Sequence, residues 1–212
     1  MARLTQKTLD EGLDALAARD RDVARAVSDA GRPKLRKRRP GFEALLRAIV
    51  GQQVSIASAT AIWGRLEKAA KPAASNEPVR PEDLLALDDA ALRGAGLSRQ
   101  KMAYGRGLAE AVVARRLDLD GLRRMDDEDS VAELVKVKGI GRWTAEIYLL
   151  FALSRPDVLP ADDLALMISA QRMKRLDERP NRAAMMELAE SWRPWRGAAA
   201  HLLWHYYRHS AD

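Results

Sequence analysis

The sequence predicts an all-α protein, and three observations carry that expectation. Apolar residues recur at three- and four-residue spacing along most of the chain, no stretch alternates as a strand would, and only 5% of the 212 residues are aromatic. Ala, Leu and Arg are abundant instead, side chains that lose little freedom in a helix. With 47% hydrophobic residues the chain is long enough for one large domain, or two lobes, to bury a core.

Residues 4–31 read as two short helices, with Leu9, Leu13 and Leu16 on one face of the first and Gly31 ending the second. Arg32, Lys34, Arg36, Lys37, Arg38 and Arg39 lie between Pro33 and Pro40 or beside them, a basic run expected as a solvated loop. Phe42, Leu45, Leu46 and Ile49 mark the next helix, which breaks at Gly51-Gln52-Gln53 before another from Ser55 to about Ala70. Residues 71–81 are a linker by composition, followed by short helices at Pro81–Leu87 and Asp89–Arg93 and a longer one at Ser98–Arg115, with Met102, Leu108 and Val112 on its apolar side.

Ser130 is a candidate cap for a helix through Val131, Leu134 and Val135 that stops at Gly139-Ile140-Gly141, and Trp143–Leu153 continues as a long apolar helix. A glycine hairpin of this kind, at about 130–153, lets backbone approach a ligand closely. It also turns the amides that open the second helix toward a phosphate. An ordinary connection between packed helices has the same appearance. Beyond it, Val158–Leu166 brings the adjacent carboxylates Asp162 and Asp163 to the start of a further helix, where either can serve as its cap.

Composition narrows the chemistry. The absence of cysteine excludes disulfides, thiolate zinc and cysteine-bound iron–sulfur clusters. No apolar run approaches the roughly 20 residues that span a bilayer, so no membrane partner and a cytoplasmic location are expected. The net charge of +6 suits a phosphate-rich partner. His201, His205 and His209 share a helical face, but three positions over two turns fan apart and no carboxylate joins them; a solvated or DNA-facing stripe is expected, with no side-chain metal site.

Four segments, GFEALLRAIVGQQVS, GLSRQKMAYGRGLAEA, VKGIGRWTAEIYLLFAL with VLPADDLAL, and ESWRPWRGAAAHLLWHYY, together resemble the helix-hairpin-helix DNA glycosylases of the 3-methyladenine DNA glycosylase II group. The resemblance runs from about Gly41 onward. It implies a single two-lobed domain over residues 1–212 with an active-site cleft between lobes, and no β-rich N-terminal extension. It further implies a monomer, associated with the nucleoid, that acts on double-stranded DNA carrying alkylated bases.

The resemblance places catalysis on Asp163 and leaves Asp162 as a cap or loop residue. It assigns Trp143 and Trp195 to a base pocket and Trp192, Trp204 and Tyr207 to core or rim. DNA contacts fall on Lys138, Gly139, Ile140, Gly141 and Thr144. Gln53 takes the role of a wedge that fills the stack, although Gln52 and Gln53 can equally cap helix ends. No cofactor is required by the resemblance, and the hairpin carbonyls are expected to offer a site for K+ or Na+.

Two departures bear on activity. Ile147 stands where relatives carry an aromatic residue, which alters the pocket. Trp143 follows Arg142 where bifunctional relatives have a lysine, so base removal without strand cutting is expected. The rival readings are a non-catalytic DNA-binding module, which has no use for a carboxylate facing DNA, and a glycosylase for oxidised or deaminated bases.

Overall fold

A computed structural model of the chain describes residues 3–71 and 76–209. Among these, every regular element is helical: α1 (Gln6–Arg19), α2 (Arg21–Ala30), α3 (Phe42–Gly51), α4 (Ile56–Ala70), α5 (Pro81–Leu85), α6 (Asp89–Ala95), α7 (Arg99–Val113), α8 (Asp127–Val135), α9 (Arg142–Phe151), α10 (Leu164–Lys174), α11 (Arg182–Glu190) and α12 (Arg196–His209). A short 3-10 turn at Gly121–Arg124 precedes α8. Of the expected linker, residues 72–75 lie outside the described residues, and Pro81 occupies the first turn of α5, where its missing N–H costs nothing. No described helix is long and apolar enough to cross a membrane.

The chain forms two compact units, Met1–Lys37 with Leu149–Asp212, and Arg38–Tyr148. In the first, α1, α2, α10 and α12 pack together. Leu9, Leu13 and Leu16 are fully buried, as the sequence pattern requires, and Trp192 is buried with them. Asp20 joins α1 to α2: its backbone ends one helix while its Oδ1 accepts the N–H groups of Asp22 and Val23 at the start of the next. The second unit packs α3 against α4 and α7, and α7 against α5 and α6, over Leu45, Leu46, Ile49, Leu66, Leu84 and Leu108.

Caps explain most boundaries. Ser55 and Ser98 accept the N–H groups of Ser58 and Lys101, starting α4 and α7 one residue after each serine. The expected cap at Ser130 is incorrect. The helix begins at Asp127, with acidic residues through its first turn, and Ser130 is buried inside it with its hydroxyl donating to Leu122 O at 3.2 Å. Asp127, Glu128 and Asp129 in its first turn favour the positive end of the helix dipole.

The histidine stripe also differs from expectation. His201 is only 3% exposed, with Nδ1 2.8 Å from Gly197 O. Burial lowers its pKa, so the neutral ring is favoured at neutral pH. His205 Nε2 lies 2.7 Å from Ala30 O and His209 Nδ1 2.8 Å from His205 O. His201 is thus a packing residue, whereas His205 is half-buried and His209 is exposed at the end of α12.

Candidate active site

The hairpin belongs to the Arg38–Tyr148 unit. After α8 the chain turns through Val137–Gly141, with Ile140 N–H donating to Val137 O at 3.0 Å. Gly139 has φ +95, and a Cβ there would lie 2.3 Å from Tyr104 Cγ. Both backbone and packing therefore demand glycine. Gly141 is different: its φ is ordinary and a Cβ there would meet nothing within 4 Å, so the fold has no need of glycine at this position. Its bare backbone leaves the start of α9 open to a close-approaching group.

Lys138 and Gly141 are exposed beside this opening. Ile140 and Thr144, expected to contact a ligand, are each only 3% exposed. Their side chains support the hairpin from within, and the Thr144 hydroxyl lies 3.4 Å from Gln52 Nε2. Arg142 ties α8 to α9 through Glu128 at 2.6 Å and Glu146 at 3.0 Å.

Trp143, at 36% exposure, borders a pocket of about 310 Å³ with Ile147, Trp63, Arg47, Val54 and Ile56. The Arg47 guanidinium sits 4.2 Å over the Trp63 ring, so part of the aromatic lining already carries a cation on its face. Gln53 is exposed in the turn between α3 and α4 at φ +53, and Val54 and Ile56 beside it are exposed apolar residues.

Asp163 belongs to the other unit. The loop leading to it is anchored by buried Val158, Leu159 and Ala161, and Asp163 N–H donates to Pro160 O at 2.9 Å. Of the two carboxylates, Asp163 is the cap of α10 and Asp162 is the loop residue before it. Asp163 Oδ1 accepts Ala165 N–H at 3.0 Å and Leu166 N–H at 3.1 Å, while Asp162 pairs with Arg182 at 2.5 Å. Trp204 Nε1 adds a third donor to the same oxygen at 3.1 Å.

Trp204 is held in turn by stacking on Phe151, with centroids 5.3 Å apart. It is therefore more than the core or rim residue that the sequence suggests. Trp195 is half-buried and lays one edge of its ring against α1, where a Cβ on Gly12 would come within 2.8 Å of it. A half-buried carboxylate with one oxygen fixed by three donors is oriented well enough to serve a developing positive charge.

Residues 46–194 match the model of the HhH-GPD superfamily of base excision DNA repair proteins. The chain belongs to the HhH-GPD superfamily. It is 32% identical over 171 residues to DNA-3-methyladenine glycosylase 1 of Schizosaccharomyces pombe, covering 80% of this chain and 73% of that protein. It is similar in structure to a 3-methyladenine DNA glycosylase of Schizosaccharomyces pombe solved in complex with abasic DNA, with a TM-score of 0.81 at 30% identity, over 92% of this chain and 95% of that one. A DNA-3-methyladenine glycosidase from Bacillus halodurans gives a TM-score of 0.79 at 31% identity, over 96% and 91% of the two chains.

The HhH-GPD match takes in Gln53, the hairpin, Trp143 and Asp163, and it stops at Pro194, short of both Trp195 and Trp204. The Trp204–Asp163 bond joins residues 41 apart in sequence. No local pattern in this HhH-GPD chain distinguishes Trp204 from the other tryptophans of the C-terminal segment, and only the fold reveals its partner.

Proposed function

We propose that this HhH-GPD protein is a base excision repair glycosylase that flips an alkylated base, of the 3-methyladenine or 7-methylguanine type, and hydrolyses its N-glycosidic bond without cutting the strand. The observation that carries the reading is Asp163, a carboxylate oriented by two backbone amides and an indole at the N-terminus of α10. Relatives named as 3-methyladenine glycosylases, one of them bound to abasic DNA, supply the reaction class.

Breaking the glycosidic bond leaves oxocarbenium character on the sugar. A fixed carboxylate stabilises that charge and orients the attacking water, at no cost of reorganisation during the reaction. Alkylation at a ring nitrogen makes the base a better leaving group. Extrusion costs a few kcal/mol, least where damage weakens pairing. Trp143 offers an exposed ring for a flipped base, and Ile147 beside it presents aliphatic rather than aromatic surface. Lys138 and the open amides after Gly141 suit the phosphate backbone, and Gln53 suits insertion into the vacated stack.

The hairpin carbonyls are hard oxygen donors of the kind K+ or Na+ takes, and the chain turns so that several lie close in sequence. A bound cation would supply positive charge beside a phosphate. Among these carbonyls, Gly139 O is already used by Gln52. The protein acts as a monomer on nucleoid DNA in this reading.

Incubation with methylated duplex DNA releases free 3-methyladenine and 7-methylguanine and leaves abasic sites in unbroken strands. Tight binding without release would overturn the enzymatic reading in favour of a DNA-binding module. Strand breaks before any alkali treatment would overturn the absence of lyase activity.

Trp204 enters the same scheme as a positioning residue. Trp204→Phe keeps the stack on Phe151 and removes only the N–H on Asp163, so base release falls about tenfold, as expected for loss of one hydrogen bond to a charged group. The thermal midpoint and the affinity for abasic DNA stay near wild type. Equal losses of rate and thermal stability would instead mark Trp204 as packing.

A further inference from the structure

The turn that carries Gln53 is anchored from two directions by residues that the reaction scheme above does not use. Gln52 Nε2 donates to Gly139 O at 2.9 Å, joining the turn to the hairpin, and the Thr144 hydroxyl lies 3.4 Å from the same nitrogen. Lys101 Nζ in α7 donates to Val50 O at 2.7 Å, placing a cation on the carbonyl end of α3 just before the turn. Three residues along α7, Tyr104 lies against Gly139, and its hydroxyl accepts from Gln100 at 2.6 Å. Gln52, Gly139 and α7 thus make one contiguous support.

What this support holds is an unusual backbone. Gln53 is a non-glycine residue at φ +53, exposed to solvent, a conformation that persists only where its surroundings over-determine it. Gln52 is the residue immediately before it, and its side chain, rather than its neighbour's, is the one spent on the interior of the protein. The amide suits this task. A glutamate would set a carboxylate oxygen against the Gly139 carbonyl, and an aliphatic side chain would leave that carbonyl without its donor.

We infer that Gln52 is a positioning residue for base flipping: its amide locks the Gln53 turn to the phosphate-binding hairpin, so that seating the hairpin on DNA and inserting Gln53 into the stack occur as one rigid event. This rests on the reading of Gln53 as the wedge. It assigns the two adjacent glutamines opposite duties, Gln53 toward DNA and Gln52 toward Gly139.

A duplex holding a tetrahydrofuran abasic analogue beside 2-aminopurine reports filling of the stack by fluorescence, without any bond being cleaved. Gln52→Met, which keeps the side chain's length and removes its donor, loses the insertion signal as Gln53→Ala does. Each slows single-turnover release of 7-methylguanine about tenfold, and the double variant is no slower than the worse single one, the non-additive result expected of coupled residues. Affinity for undamaged duplex and the thermal midpoint remain close to wild type in Gln52→Met and in the shorter Gln52→Asn.

Additive losses, or a Gln52→Met protein whose undamaged-duplex affinity and thermal midpoint fall together with insertion, would show Gln52 to be ordinary packing. A wild-type insertion signal unaffected by Gln53→Ala would overturn the wedge assignment on which the inference rests. Because the fluorescence measurement needs no catalysis, it is read independently of whether the protein releases a base.

Discussion

Asp163→Asn lowers base release by about 10²–10³-fold, while the protein still binds abasic duplex DNA. Asparagine retains a carbonyl oxygen for the three donors that now reach Asp163 Oδ1, namely Ala165 N–H, Leu166 N–H and Trp204 Nε1. It is also as good a helix cap as aspartate, so α10 starts where it did and stability changes little. What changes is charge. With the amide oxygen held by those donors, an NH2 group replaces the second carboxylate oxygen, presenting a donor to a sugar that is becoming positive. Single-turnover release from methylated DNA, measured beside the affinity for an abasic duplex, separates the two effects. Release within a few-fold of wild type would remove Asp163 from the chemistry, and loss of binding with release would make its role structural.

The helices are legible where one rule acts alone. Leu9, Leu13 and Leu16 at helical spacing, Gly31 as a stop, and Ser55 and Ser98 as caps all lie where the sequence puts them. Misreadings arise where two residues satisfy the same local rule and tertiary structure chooses between them. Asp162 and Asp163 are both competent caps, and the choice falls to Asp163, whose oxygen also meets an indole from α12 while Asp162 meets Arg182. Ser130 is a competent cap too, but the helix already begins at Asp127, after Asp126 at the cap position, and the serine hydroxyl finds Leu122 O inside the unit.

The candidate site is legible for the same reason in part. Gly139 announces itself by residue type, since φ +95 and the face of Tyr104 admit nothing larger, whereas the partner ring is 35 residues away in sequence and carries no mark of its role. The tryptophans show the limit most clearly. Trp192, Trp195 and Trp204 have similar sequence credentials, yet their indoles go to Asp20, to the α1 surface at Gly12 and to Asp163 respectively. Long-range hydrogen bonds of this kind have no periodicity to read.

The Trp192 bond leads to the largest expected effect on stability. Asp20→Ala destabilises the protein by about 3 kcal/mol, the combined cost of a lost helix cap, a buried indole N–H without its acceptor and a lysine left with Asp22 alone at 3.3 Å. Asp20 holds the start of α2 through Asp22 and Val23 N–H, accepts Trp192 Nε1 at 3.1 Å, and pairs with Lys174 at 2.6 Å, the two charged side chains being only 12% and 18% exposed. Burial alone would raise the Asp20 pKa, but the hydrogen bonds from Lys174 and Trp192, the Lys174 charge and the Val23 amide outweigh it and hold the group below its ordinary value. A carboxyl depressed in the folded state contributes stability that is fully present above its ordinary unfolded pKa and is lost as pH falls through the lower folded value. The difference in unfolding free energy between wild type and Asp20→Ala is therefore constant near neutrality and narrows in acid. Chemical denaturation of both proteins at neutral pH and at a series of acid values checks this. A gap well under 1 kcal/mol at neutral pH, or one that widens as the medium is acidified, would mean that the Lys174 and Trp192 contacts do not stabilise the charged form.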